Sequence, residues 1–223
     1  MTAAPDPTQQ PKDIRNPLFA RLYEHVLSRG ESARMVACRR QLLDGLAGRV
    51  LEIGPGNGPN FQHYPPTVTA VLAVEPEPYL RARAHPAAQQ APVTITVVAG
   101  DAEHLPVEDA SMDAIVICQV LCSVPDQARA LAEVHRVLRV GGELRVFEHV
   151  VAEHPLGGAA LRVAEATFWP RLFGNCHPTR DTLTALSGAG FDTSGVGRFV
   201  MRGGAAEPPL PYILGTAVPR PER

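Results

Sequence analysis

The 223-residue chain is predicted to fold as an α/β protein, with a mostly parallel sheet covered by helices on both faces. Two observations predict this. Short apolar or β-branched segments alternate with segments of helical periodicity, and that alternation is typical of βαβ units. The length suits a single domain that is large enough to bury a real core.

The N-terminal region is predicted to contain a tail followed by two helices. Residues 1–13 are polar and proline-rich, which indicates a disordered tail. Apolar residues recur at helical spacing over 14–30, and Gly30 marks the end of that first helix. A second helix is expected over 31–46. We expect residues 14–48 to cover the ligand site and residues 49–223 to form the ligand-binding domain.

The rest of the chain supplies the sheet. The predicted strands are 49–54, 68–74, 94–98, 113–118, 143–150, 191–200 and 211–218. The predicted helices are 78–90, 126–140 and 179–186, with a helix and loop over 155–178. Seven strands, the last two forming an antiparallel edge pair, give a Rossmann-like sheet.

Local signals suggest where the helices begin and end. Pro59 suits the first turn of a helix, where its missing N–H has no intrahelical partner to lose. Ser123, three residues before Asp126, predicts a helix start. Thr179 is the expected N-cap of the helix over 179–186. Gly141-Gly142 is expected to end the helix over 126–140.

Composition restricts the possible partners and the compartment. A net charge of −2 and a pI near 6.4 give no electrostatic reason to expect nucleic acid. No apolar run is long enough for a membrane span, and the first residues lack the apolar core of a signal peptide. The expected compartment is therefore the cytoplasm. The four cysteines include no C-x-x-C pair, so neither a metal site nor a disulfide framework is expected.

The most informative motif is the turn after the first strand. Residues 50–58 read Val-Leu-Glu-Ile-Gly-Pro-Gly-Asn-Gly, and glycines there let backbone N–H groups approach a ligand. The spacing is G-x-G-x-G, with Pro59 where the dinucleotide fingerprint G-x-G-x-x-G requires a third glycine. Glu75 and Asp101 end the second and third strands. Ligands of open α/β sheets bind at these carboxyl ends.

Two further motifs follow, Gly100-Asp-Ala-x-x-Leu-Pro and Leu131-x-Glu-Val-x-Arg-Val-Leu-Arg-x-Gly-Gly142. With the glycine turn, they resemble the class I S-adenosylmethionine (SAM) methyltransferases. The resemblance implies SAM as cofactor and S-adenosylhomocysteine as product. It implies that Glu75 accepts the ribose hydroxyls and that Asp101 accepts the adenine amino group. The implied cofactor residues are Glu52, Gly54, Pro55, Gly56, Asn57, Gly58, Glu75, Pro76, Asp101, Ala102, Gln119 and Val120.

Three shorter blocks, VLCSV at 120–124, EHV at 148–150 and GNCHPTR at 174–180, are similar to the thiol S-methyltransferase branch. Two departures stand out: the membrane-anchoring segment of eukaryotic members has no counterpart, and His177-Pro178 differs from the relatives. A small-molecule acceptor, such as a thiol, is expected. Two other acceptors stay open, a quinone ring and a phospholipid amine. A further alternative is a protein that binds SAM without catalysing a reaction. An NAD-dependent oxidoreductase fits least, given Pro59 and Asp101.

A thiol acceptor must react as its thiolate, so a nearby base or cation would help. His149, at the end of the fifth strand, is the first catalytic candidate, and His177 is the second. Glu148 is expected to face away from His149 as a surface or capping carboxylate. Cys122 and Cys176 are expected to be small buried hydrophobes. The aromatic residues expected to contact the acceptor are Phe19, Tyr23, Phe168, Trp169 and Phe173.

Overall fold

The structure, a computed structural model, describes residues 13–27, 31–151, 155–202 and 209–220. Nearly all of the predicted tail over 1–13, and Gly30 at the predicted end of the first helix, lie outside the described residues. The strands are β1 (Gly48–Ile53), β2 (Val68–Val74), β3 (Ile95–Val98), β4 (Met112–Cys118), β5 (Leu138–His149), β6 (Phe191–Met201) and β7 (Leu210–Pro219). The α-helices are α1 (Pro17–Leu22), α2 (Ala33–Leu43), α3 (Pro78–Gln89), α4 (Gln127–Val137), α5 (Pro155–Thr167), α6 (Trp169–Leu172) and α7 (Thr182–Gly188).

These strands form one seven-stranded sheet in the order β3-β2-β1-β4-β5-β7-β6. Strands β1 to β5 pair in parallel, while β7 runs antiparallel to both of its neighbours, β5 and β6. The predicted fold, including its antiparallel edge pair, is confirmed. The strand order reverses between β1 and β4, and open α/β sheets bind ligands beside such a switch point.

Alternating side chains of the central strands enter two separate cores, one on each face of the sheet. Val50 and Val116 join the core that includes Leu42 of α2. Leu51 and Ile115 join the core on the other face, where α4 and α7 contribute apolar side chains. Strands covered on both faces read as continuous apolar runs, which is why β1 and β4 could be recognised in the sequence.

The start of β5 differs from the prediction. Helix α4 ends at Val137 and Leu138 already begins β5, so Gly141-Gly142 lies inside a strand instead of ending a helix. The pairing of β4 with β5 shifts register here, from Met112↔Leu138 to Ala114↔Glu143. Gly141 has φ +77°, so the glycine pair serves an irregularity in the strand.

Two helix starts also differ from the prediction. Asp126 caps α4 by accepting from Ala128 N and Arg129 N, whereas Ser123 N donates to Val120 O in the preceding turn. Asp181 caps α7, two residues after the predicted Thr179. In each case a carboxylate nearer to the helix takes the cap, because aspartate caps at least as well as serine or threonine.

The N-terminal helices and the segment after β1 are shorter than predicted. Helix α1 continues into one π-helical turn over Tyr23–Leu27, and α2 spans Ala33–Leu43 with Ser32 as its N-cap. Pro59 does not begin an α-helix. It lies in the turn before a single 3₁₀ turn, Phe61–His63.

Candidate active site

The turn between β1 and the 3₁₀ helix has a backbone that only glycine adopts readily. Gly54, Gly56 and Gly58 all have positive φ, between +62° and +88°. A Cβ at Gly54 would lie 2.6 Å from Cγ2 of Val120, so the turn after β1 and the turn after β4 are in contact. A Cβ at Gly56 would lie 3.1 Å from the Tyr23 ring. Burial raises the pKa of Tyr23 to about 12, so its hydroxyl is neutral.

Glu75 ties the glycine turn to the end of β2. Its carboxylate accepts from Gly56 N at 2.8 Å and from Glu77 N at 2.9 Å, and it is buried. Burial raises the pKa of Glu75 to about 7, although the two backbone hydrogen bonds act in the opposite direction. Pro76 follows it, and its carbonyl accepts from Ile14 N at 3.2 Å. Glu75 is therefore a buried acceptor beside the glycine turn.

Asp101 is the third residue after β3, beside the same edge. Its Oδ1 accepts from Glu103 N at 2.8 Å and lies 3.4 Å from Nδ1 of His104. The next residue, Ala102, is buried. Asp101 thus stabilises its own turn and presents a carboxylate at the third strand end.

Glu52 is placed differently from the other predicted cofactor residues. It is buried within β1, where Oε1 accepts from Asn60 Nδ2 and Oε2 accepts from Tyr64 Oη, both at 2.7 Å. Burial raises its pKa. Both carboxylate oxygens are thus held by residues behind the glycine turn, while Pro55 and Asn57 lie in the turn itself.

A buried arginine that the sequence analysis missed lies next to Glu52. Nη1 of Arg39, on α2, donates to Oδ1 of Asn60 and to Sγ of Cys118, each at 3.0 Å. Its guanidinium also pairs with Glu31. Burial raises the pKa of Cys118 to about 12, so the thiol at the end of β4 is neutral. Arg39 thereby connects α2 to the ends of β1 and β4.

Glu148 organises the turn after β4. It is fully buried, so the expected surface position is wrong, and it accepts from three successive N–H groups. These belong to Val120 at 2.6 Å, Leu121 at 3.0 Å and Cys122 at 3.4 Å. Gln119, which precedes them, has φ +61°. One carboxylate therefore fixes the backbone at and after Val120, which the resemblance includes among the cofactor residues.

His149 faces a different set of groups. Its Nε2 lies 2.9 Å from the Tyr212 hydroxyl and 3.2 Å from Gln119 Nε2, and its Nδ1 lies 3.7 Å from Cys176 Sγ. Cys122 and Cys176 are both buried, as expected, but they engage in polar contacts with this histidine and with each other. Side chains from three separate segments therefore meet at the end of β5.

The imidazole of His177 contacts α5, whereas that of His149 contacts the groups at the end of β5. Its Nδ1 lies 3.0 Å from Oε1 of Glu165, on α5, and its backbone N–H donates to Cys122 O at 2.8 Å. The loop carrying it also holds the turn after β4, because Nδ2 of Asn175 donates to Ser123 O and Nη1 of Arg180 donates to Leu121 O, each at 2.9 Å. The geometry gives His177 a place in the scaffold of this turn.

Comparisons with known proteins show the family to which the chain belongs. Residues 51–146 match the family model described as a methyltransferase domain. The human thiol S-methyltransferase TMT1B is 34% identical over 213 residues, which cover 86% of this chain and 83% of the human protein. This chain belongs to the class I SAM-dependent methyltransferases. It is an enzyme that transfers methyl groups.

Solved structures show the same fold at lower identity. The YcgJ protein of Bacillus subtilis superposes with a TM-score of 0.67 and 19% identity, covering 86% of this chain and 100% of that one. A SAM-dependent methyltransferase of Thermotoga maritima gives a TM-score of 0.64 and 23% identity, covering 90% of this chain and 97% of that one. Among the described residues of this methyltransferase, no helix combines the length and apolar character needed to cross a bilayer.

Proposed function

We propose that this methyltransferase moves the methyl group of SAM to the sulfur of a small thiol. The observation that carries the proposal is the convergence of three sequence blocks that lie far apart along the chain. The VLCSV turn, the Glu148-His149 strand end and the loop over 174–180 contact one another directly. The same blocks carry the similarity to the thiol S-methyltransferases, one of which is the human relative named above.

The donor half of the proposed site consists of β1, β2 and β3 with their turns. We assign the backbone of Gly54–Gly58 to the carboxylate end of SAM, Glu75 to the ribose hydroxyls, and Asp101 with Ala102 N–H to the adenine. Two features fit these roles. A Cβ at Gly54 or Gly56 would crowd Val120 or Tyr23, so the turn tolerates only glycine at these positions. Glu75 is a buried acceptor beside that turn.

The acceptor half consists of the turn after β4, the end of β5 and the aromatic residues near α1 and α6. A Cβ at Gly174 would lie 2.7 Å from the Phe19 ring, and Phe19 and Tyr23 have ring centroids 5.7 Å apart. These two rings therefore extend from the loop after α6 to the glycine turn. An apolar wall of this kind suits a small, partly apolar acceptor, with His149 as the proposed residue in contact with the reacting sulfur.

The chemistry requires little covalent participation by the protein. When bound, SAM supplies a methyl group on a positively charged sulfur that leaves as a neutral thioether. The acceptor thiol loses its proton to solvent, its sulfur forms the new S–C bond, and the old S–C bond breaks in line with it. The chain holds the two sulfurs on one axis and excludes water, and such positioning can supply on the order of 7–11 kcal/mol.

A screen with SAM labelled in its methyl group tests the proposal. Small thiols, quinones, phenols and phospholipids are each incubated with the purified chain, and both labelled product and S-adenosylhomocysteine are measured. Label in a thioether is the expected result. Transfer to a quinone or a phospholipid but not to any thiol would overturn the proposed acceptor.

A further inference from the structure

Three side chains that bind soft metals converge at the end of β5. Sγ of Cys122, Nδ1 or Nε2 of His149 and Sγ of Cys176 all lie within 4.8 Å of one another. They come from the turn after β4, from β5 and from the loop after α6. The absence of a C-x-x-C pair predicted no such site, because spacing along the chain reveals only ligands that are neighbours in sequence.

The separation of Cys176 Sγ from His149 Nδ1 matches neighbouring ligands of a tetrahedral metal site. Zinc–sulfur bonds of about 2.3 Å and zinc–nitrogen bonds of about 2.0–2.1 Å place neighbouring S and N ligands roughly 3.6 Å apart. The distance from Cys176 Sγ to His149 Nδ1 is 3.7 Å. We infer that Cys122, His149 and Cys176 bind a zinc ion as a three-ligand site, with Nδ1 as the histidine ligand.

The surroundings support a histidine bound through Nδ1. A metal-bound imidazole usually donates its other N–H to a hydrogen-bond acceptor, such as a carboxylate, a backbone carbonyl or a water, and this fixes the ring. Here Nε2 of His149 lies 2.9 Å from the Tyr212 hydroxyl, and Tyr212 is fully buried on β7. The ring is therefore oriented from the side opposite to the two sulfurs.

The backbone that carries the cysteines is also fixed. Cys122 N–H donates to Glu148, Cys122 O accepts from His177 N, and Cys176 N–H donates to Phe173 O at 3.0 Å. Both thiols are buried, and two thiolates with one divalent cation form a set of zero net charge, which favours burial. The sulfur positions are thus set by the fold.

Three protein ligands leave one tetrahedral position open, as in catalytic zinc sites. We place the acceptor sulfur in that position, and this part rests on the proposed function. The thiol would lose its proton to solvent on coordination and bind as thiolate, the form required for attack on the methyl carbon. Gln119, whose Nε2 lies 3.2 Å from His149, connects the cluster to the backbone assigned to SAM.

The test measures metal in the full chain, purified without chelator from cells grown with added zinc. Mass spectrometry of the metal is expected to give about one zinc per chain. Removal of zinc and addition of Co²⁺ is expected to produce the visible absorption of tetrahedral thiolate coordination. Cys122→Ser and Cys176→Ser should lose most of the zinc. Cys38→Ser is the matched control and should keep it, because Cys38 is a buried thiol that contacts Met201 instead.

Wild-type protein that carries no zinc and gives no Co²⁺ absorption would overturn the site, whether or not the variants fold. A disulfide between Cys122 and Cys176 in freshly purified protein would overturn it as well. Metal content and methyl transfer are measured separately. Bound zinc without methylation of any thiol would support the metal site and refute the proposed acceptor, whereas thiol methylation that persists after the zinc is removed would refute only the placement of the acceptor sulfur on the metal.

Discussion

The two halves of the carboxyl edge of the sheet are built in different ways. On the donor side, Glu75 and Asp101 lie at or just beyond the ends of their strands, and the contacts that fix them are within nineteen residues in sequence. On the acceptor side, Glu148 holds N–H groups 26 to 28 residues away, and Cys176 meets His149 27 residues away. A site made of local turns can be recognised as a motif, whereas a site assembled from distant segments requires the fold.

Replacement of Glu148 by alanine is expected to have the largest effect. It would leave three buried N–H groups without their acceptor, and the expected loss is about 2–4 kcal/mol in the free energy of unfolding. Urea denaturation measures it. Glu143→Ala is the control on the same strand, because Glu143 pairs with Arg145 near the surface and should cost less than about 1 kcal/mol. Equal losses in the two variants would show that Glu148 does not hold the acceptor side together.

His149→Ala should separate the two halves functionally. We expect kcat to fall by about a hundredfold while the Kd for SAM is preserved, because the carboxylates assigned to the ribose and the adenine follow β2 and β3. Steady-state kinetics and calorimetry measure the two quantities. His177→Ala provides the comparison and should lose clearly less activity, since its imidazole contacts Glu165 on α5. A fully active His149→Ala enzyme would remove the imidazole from the mechanism.

On the donor side, Glu75→Ala and Asp101→Ala are each expected to weaken SAM binding by at least about tenfold, close to 1.4 kcal/mol. The physical reason is the loss of a carboxylate acceptor for the ribose hydroxyls or for the adenine amino group. Asp109→Ala is a suitable control, because Asp109 is an exposed partner of Arg136 in the loop after β3. Unchanged Kd values in both test variants would refute the donor assignment.

The smallest expected effect is a pH dependence that arises from Glu75. The pKa of Glu75 is about 7 in the folded chain, whereas an exposed glutamate of the unfolded chain has the usual value of 4.5. The folded chain therefore binds this proton more tightly, and protonation favours folding. The stability contributed by this group should therefore increase as the pH falls from 7 towards 4.5. SAM affinity should change in the opposite direction and weaken by about three- to tenfold between pH 8 and pH 6. Glu75→Gln should flatten the affinity profile, and an equally steep profile in that variant would assign the titration to another group.

Much of the sheet could be predicted from sequence because its strands are short apolar runs between glycines and prolines. The prediction for β2 matches the structure to the residue. The start of β5 was missed, since the apolar period of α4 continues into Leu138 and a glycine pair often ends a helix. Pairing with β4, a tertiary contact, decides that those residues are extended.

The acceptor side shows what local patterns leave out. Glu148 follows the apolar pair Val146-Phe147 in its strand, and this pattern could have predicted that it is buried. A buried acid requires hydrogen-bond donors nearby. Nothing in the sequence says that those donors belong to residues 120–122. Arg39 is similar, because its partners Asn60 and Cys118 become neighbours only when α2 packs against the sheet.

The donor side and the acceptor side are in contact at Gly54 and Val120. A methyl group on Gly54 would lie 2.6 Å from Cγ2 of Val120. Val120 is itself anchored by Glu148. A single added carbon in the donor turn would therefore be transmitted mechanically to the acceptor turn. Because Gly54 has no side chain, the turn proposed to bind SAM and the turn proposed to bind the acceptor can lie against each other without distortion.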